Sequence, residues 1–269
     1  MAEIITRYIT KNPYFNDGKY IFVPDLDGYM LHSVGVGQPD PMVFIRSWDD
    51  PNYTAAGLNG VIGADVTYIT APCLDSVSKV KRMPHGGKQY SNDHYIGFEM
   101  TEPAEIKYIG GDRFTISNLA AAQAHVQKTY ANAVDLFAKL CLKHGKDPLK
   151  PGVIISHNEA GKQGIGTTHS DPEHLWTQLK LPFTMDGFRK DVWNKMNNKE
   201  DYMTRAEILK ELGDQFIERF EDLPDWAKRE VRPLLDAGYI RGGDAADPDD
   251  IGMFMSDIRT IIVCARMTK

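Results

Sequence analysis

A chain of 269 residues, with 42% hydrophobic and 25% charged side chains, has room for one large or two unequal globular domains and is neither disordered, collagenous nor a coiled coil. The net charge of −6 is uneven: residues 201–269 hold 15 Asp and Glu against 10 Lys and Arg, so most of the acidity belongs to the tail. No basic cluster is denser than Lys79, Lys81 and Arg82, which argues against a nucleic-acid partner, and no apolar run approaches the roughly 20 residues of a bilayer span, which argues against integral membrane association.

In chain order, the opening MAEIITRYITKNPYF lacks the basic-then-apolar pattern of a secretory signal, so synthesis in the cytoplasm without classical export is expected. Short β-type runs follow: YMLHSV at 29–34, the hairpin-like GVIGADVTYIT at 60–70, HYIGFEM at 94–100 and VIISH at 153–157. A long helix is predicted over 118–144, opened by Ser117 and closed by Gly145, with Leu119, Val126, Tyr130, Val134, Phe137 and Cys141 as its apolar stripe and His125 and His144 at its surface. Strands alternating with helices predict an α/β fold. Cys73, Cys141 and Cys264 form no C-x-x-C pair and indicate neither a disulfide framework nor a thiolate zinc site.

The character of the sequence changes at NNKED, 197–201, which predicts a linker between a domain at 1–197 and a small all-α domain at 203–269. In the latter, T-R-A-E at 204–207 is a capping-box pattern for a helix reaching Phe220. A second helix is predicted over 225–237, kinked or shortened by Pro233, and a third from Ser256 with Ile258, Ile261, Ile262 and Ala265 inward. Three short helices make a marginal core, which predicts that this part leans on the first domain or on a second copy of itself.

Several histidines close predicted strands, where α/β sheets build their sites. His32 ends one strand, His157 another, and His169 and Asp171 follow in GIGTTHSDPEHLW. Two neutral imidazoles and a carboxylate can hold a catalytic zinc with one open position, although spacing alone favours core or hydrogen-bonded histidines. Asp171 also heads D-P-E, a good helix start, and H-x-D-x-x-H with His174 offers a rival metal triplet. Glu99 lies inside an apolar strand, where a carboxylate needs a cation, a metal-bound water or a hydrogen-bond network. His85, before a Gly-Gly turn, is a substrate-contact or a turn residue.

These motifs in order carry a resemblance. HSVG at His32, PHGG at His85, N-x-x-x-IGFE from Asn92 to Glu99 and ISHNEA…THSDPEHLW up to Trp176 resemble the zinc-dependent N-acetylmuramoyl-L-alanine amidases of the peptidoglycan-recognition and phage lysozyme type. The amidase domains of clostridial and related Firmicute phage endolysins are most similar, over about residues 8–196. The resemblance implies a central mixed β-sheet flanked by helices and a Zn2+ cofactor held by His32, His157 and Asp171. It further implies Glu99 as the catalytic group acting on the attacking water, His169 as the residue stabilising the transition state, and His85 and Asn92 as substrate-binding. Pro84 stands where relatives often have Trp, and Asn59 where many have His.

The implied activity is hydrolysis of the amide between N-acetylmuramic acid and L-alanine, with bacterial peptidoglycan as the partner and the cell wall as the place of action after release. A non-catalytic wall-binding protein and a zinc peptidase acting within the stem peptide are the alternatives. LPDWAKREVRPLLDAGYIRG at 223–242 resembles helix-hairpin segments found behind phage amidase domains, which implies cell-wall binding by the C-terminal part, with a homodimer through it as the alternative.

Overall fold

In a computed structural model, the structure describes residues 2–197, 216–240, 247, 249–255, 257, 258, 261 and 262. The chain divides into two compact units, Met1–Asn197 and Asn198–Lys269. No described helix is long and apolar enough to cross a membrane.

The first unit is built on six strands: β1 (Glu3–Thr6), β3 (Gly28–Ser33), β4 (Gly60–Ile62), β5 (Val66–Ile69), β7 (Tyr95–Met100) and β10 (Ile154–Ser156). They lie in the order β1-β5-β4-β7-β3-β10. The β4–β5 pair is antiparallel and every other pair is parallel, which makes the sheet mixed as the resemblance implies. The hairpin expected over 60–70 is this β4–β5 pair, with Gly60 opposite Ile69. Two small antiparallel ladders were not legible in the sequence: β2 (Tyr20–Phe22) with β6 (Lys79–Lys81), and β8 (Ile106–Gly110) with β9 (Arg113–Ile116). Each has strands of three to five residues, too short to show a period.

Helix α4 (Leu119–His144) crosses the sheet, with α1 (Pro13–Asn16), α2 (Pro41–Trp48) and α3 (Gln89–His94) earlier in the chain. Its N-cap is Asn118 rather than Ser117: the Asn118 side chain accepts from the backbone N–H of Ala121 at 3.1 Å. Gly145 closes it with φ of +64°, the left-handed cap that glycine takes without strain. Val126, Tyr130, Val134, Phe137 and Cys141 are buried as expected, whereas Leu119, in the first turn, is exposed. Phe137 packs edge-on against Tyr29 of β3, Phe98 of β7 and Phe188 of α7 (Met185–Asn197), joining helix, sheet and helix into one core.

His144 is not a surface residue. It is buried, with its Nδ1 2.9 Å from the Tyr29 hydroxyl, because the last turn of α4 reaches the start of β3. His125 is half-buried, with Nε2 3.1 Å from the Thr101 hydroxyl.

The second unit has its own apolar core, which includes Ile217, Leu223, Ala227, Val231, Ile251 and Ile258. It is not all-helical. Phe216–Arg219 forms β11, antiparallel to β12 (Asp250–Phe254), where a helix reaching Phe220 was expected. The pairing is non-local, so a partner some 30 residues away overrides the helical pattern, as tertiary context does for short segments. The T-R-A-E capping pattern lies outside the described residues. Helix α8 (Asp225–Asp236) matches the second predicted helix and carries Pro233 near its end. Ile258 and Ile262 are buried as predicted for the third; Ala265 lies outside the described residues.

Candidate metal centre

Three parallel strands deliver the site to one edge of the sheet. His32 is the fifth residue of β3 and Glu99 the fifth of β7, and the two are register partners, so both project from the same face. Next to them, β10 pairs with β3 through Ser156 and Leu31, and the following residue, His157, opens α5 (His157–Lys162). Ser156 causes that switch from strand to helix. Its hydroxyl accepts from the Glu159 N–H at 3.0 Å, and the Glu159 carboxylate accepts from the Ser156 N–H at 3.1 Å. From α7, Arg189 pairs with Glu159 and donates from Nε to the Ile154 carbonyl at 2.9 Å, fixing the junction from behind.

Asp171 lies between α5 and α6 (Glu173–Gln178). Its carboxylate does not cap α6. It lies 3.5 Å from Nδ1 of His32, 3.5 Å from Nδ1 of His157 and 3.4 Å from Nδ1 of His169, and accepts from the Ser33 N–H at 3.3 Å. Three imidazoles offer the carboxylate more than one helix N–H would. Glu173 ties the start of α6 to that of α5 instead, accepting from the Ser156 hydroxyl at 2.7 Å and from Asn158 Nδ2 at 3.1 Å.

His32, His157 and Asp171 are buried, and their ligating atoms all lie within 4.8 Å of one another. Among the described residues this is the group with metal-holding geometry. The rival triplet is not assembled: His174 turns away and places Nε2 2.7 Å from the Tyr108 hydroxyl. The donor chemistry fits zinc, two nitrogens and one oxygen with room for a fourth ligand.

The electrostatics agree. Burial would raise the Asp171 carboxyl, but the imidazoles of His157, His169 and His32 gathered around it hold it well below the usual carboxylate range, so it is ionised. Burial lowers His32, which favours the neutral form that binds metal. Burial also lowers His85, to about 3. His169 is raised by its hydrogen bond to Asp171, and its ring stacks on His157 with centroids 4.1 Å apart. Glu99 is raised well above the ordinary glutamate value, first by burial and then by the charges of Asp171 and Glu102. Its Oε2 is buried without a hydrogen-bond partner, and no Lys or Arg pairs with it among the described residues.

His32, Glu99, His157, His169 and Asp171 border a cleft of about 790 Å3, lined also by Tyr108, Gly111 and Asn158. His85 borders it too, while Asn92 stands behind the turn, its Oδ1 accepting from the N–H of His85 at 2.8 Å and of Gly86 at 2.9 Å. Three participants escaped the sequence reading: Thr167, Tyr108 and Glu102. Glu102 is fully buried, accepts from the Gly35 N–H at 3.0 Å and from the Tyr108 hydroxyl at 2.9 Å, and is raised to about 7 by burial. A second acid three residues after Glu99, just beyond the strand end, was the available signal.

No known protein-family model matches the chain, and no curated protein does. Among solved structures, the chain is similar to the Staphylococcus aureus hydrolase AmiA in complex with its ligand, at 19% identity and a TM-score of 0.52, covering 73% of this chain and 84% of that one. This likeness establishes a shared fold. Lower similarity is found to the catalytic domain of XlyA (16% identity, TM-score 0.49, 70% of this chain and 98% of that one). A mutant endolysin from Bacillus subtilis follows (17% identity, TM-score 0.47, 71% and 99%).

Proposed function

We infer that the first unit is a zinc-dependent amidase that cleaves the bond between N-acetylmuramic acid and L-alanine in bacterial peptidoglycan. The observation that carries this reading is the convergence of His32, His157 and Asp171 within 4.8 Å, with Glu99 directly opposite His32 in register and unpaired at Oε2. The fold shared with a hydrolase, and the motif series from HSVG to THSDPEHLW, support the choice of reaction.

His32, His157 and Asp171 would hold the ion, and the chemistry it supplies when bound is Lewis acidity toward the scissile carbonyl and the attacking water. Glu99 is suited to take the proton of that water and return it to the leaving amine, because burial raises its affinity for a proton above that of an ordinary glutamate. His169 is held protonated more readily than a free histidine by Asp171 and stands half-exposed at the cleft, where it would donate to the developing oxyanion. Glu102, fixed by Tyr108 and Gly35, adds negative potential that keeps Glu99 basic. The second unit, with a core of its own, would serve as a separate module for wall anchoring or self-association.

The test is zinc stoichiometry together with mass spectrometry of digested Gram-positive wall. Glycan freed of an intact stem peptide with a new N-terminal alanine is the expected result. Stem-peptide fragments would mean a peptidase, and no release a binding protein.

A further inference from the structure

The turn that follows β6 stands behind both ligand imidazoles, and its hydrogen bonds have a fixed direction. The Tyr95 carbonyl can only accept, so Nε2 of His85, 3.0 Å away, carries a proton. The neutral His85 ring then offers a lone pair at Nδ1, 3.0 Å from Nε2 of His32, and the proton between the rings belongs to His32. Nδ1 of His32 is therefore bare, and it is the atom that faces Asp171 and His157.

A second chain runs in parallel. The Thr167 hydroxyl lies 3.0 Å from Nε2 of His157 and 3.4 Å from the Gly86 carbonyl; giving its one proton to the carbonyl leaves it to accept from Nε2. In that arrangement Nδ1 of His157 is bare as well. The two Nδ1 atoms lie 3.0 Å apart, and their lone pairs repel unless a cation sits between them.

The packing keeps both chains in place. A Cβ on Gly97 would stand 2.5 Å from Cγ and 2.6 Å from Nδ1 of His85, so only glycine in β7 lets that ring lie flat against the strand. A Cβ on Gly87, which has φ of +72°, would stand 2.6 Å from the Thr167 hydroxyl oxygen. Asn92 pins the turn by accepting the N–H groups of His85 and Gly86.

We propose that this turn and the Thr167 segment that contacts it at Gly86 form a tautomer clamp, in which His85 and Thr167 are positioning residues that hold His32 and His157 as Nε2–H tautomers with both Nδ1 lone pairs on the metal. The proposal rests on the zinc reading above and deepens it: His85 and Asn92 serve the metal shell rather than the substrate. A neutral imidazole free to protonate at Nδ1 is no ligand through that atom, and loss of such outer partners commonly weakens metal binding.

The experiment uses the full chain. Zinc affinity is measured by chelator competition for wild type, His85→Ala, His85→Gln, Thr167→Val and Thr167→Ser, and imidazole 15N NMR of the metal-free proteins reads the tautomers. His85→Ala and Thr167→Val should each bind zinc about 10- to 100-fold more weakly. His85→Gln, whose amide can accept from His32 and donate to Tyr95, and Thr167→Ser should recover most of the loss. In wild type both His32 and His157 should be Nε2–H, and Thr167→Val should mix the tautomers of His157. Should His85→Ala fail to fold, the Thr167 pair decides alone. Folded Ala and Val variants with wild-type affinity, or a wild-type Nδ1–H tautomer at either ligand, would overturn the clamp. A wild type that binds no zinc would instead overturn the metal reading, while its tautomers still report on the clamp.

Discussion

His32 and Glu99 stand directly opposite each other on adjacent parallel strands, one a buried imidazole and the other a carboxylate with no cation beside it. On the proposed reading the pairing would put a base next to a metal ligand, since Glu99 itself is not in the group that could hold a metal.

Glu99→Gln should therefore keep zinc and lose hydrolysis by at least about 100-fold, the lower end of what general bases contribute. Metal analysis and turnover on purified peptidoglycan, run on the same preparation, check both halves. Unchanged turnover would remove Glu99 from the chemistry.

Asp171→Ala should lose stoichiometric zinc, because the carboxylate touches both ligand histidines and no helix N–H. A chelator should likewise abolish wild-type hydrolysis, and added zinc should restore it. Full zinc content in the folded variant would return Asp171 to a structural role.

Glu102 makes stability fall as pH rises. Its folded value of about 7 lies above the ordinary 4.5, so the folded protein holds the proton more tightly than the unfolded chain. Stability from this group is full below pH ~4.5 and is lost as pH rises toward ~7, in total about 3 kcal/mol. Glu102→Gln should remove that slope in denaturant unfolding at several pH values. Parallel curves for the two proteins would contradict it.

Arg189→Ala should cost about 2–3 kcal/mol, because it leaves the partly buried Glu159 carboxylate without its cation and frees the Ile154 carbonyl at the β10–α5 junction. Denaturant unfolding gives the cost. Zinc affinity should also drop, since His157 begins that helix. A loss under 0.5 kcal/mol, typical of an exposed ion pair, would show that the junction does not depend on Arg189.

Removing residues 201–269 should leave zinc binding and cleavage of soluble wall fragments intact, because the core of the second unit is its own. Loss of pelleting with intact wall would assign that unit to anchoring, and a fall in solution mass to more than the deleted residues would assign it to self-association. Loss of zinc from the truncated chain would refute its independence.

The elements legible in the sequence were those with a strong local pattern. The 26-residue α4 and the six-residue β3 and β7 carry enough repeated positions to reveal their type, and β10 was marked by the unbroken apolar run before His157. The short β2–β6 and β8–β9 ladders and the β11–β12 pair do not, since their stability comes from partners far along the chain. His144 misled for the same reason: nothing near it in sequence announces the Tyr29 hydroxyl 115 residues away.

The sequence alone determined which side chains were available for metal chemistry and where strands would present them: His32 and His157 close apolar runs, Glu99 lies within one, and polar groups toward strand ends are where α/β sheets place sites. Only the tertiary structure shows which groups Asp171, His174 and His85 meet. Cap, ligand and outer partner use the same atoms and differ only in which group from another segment lies within hydrogen-bond reach. That distance is set by strand register and by the crossings that bring residues 32, 85, 157 and 171 together, and no local pattern encodes it.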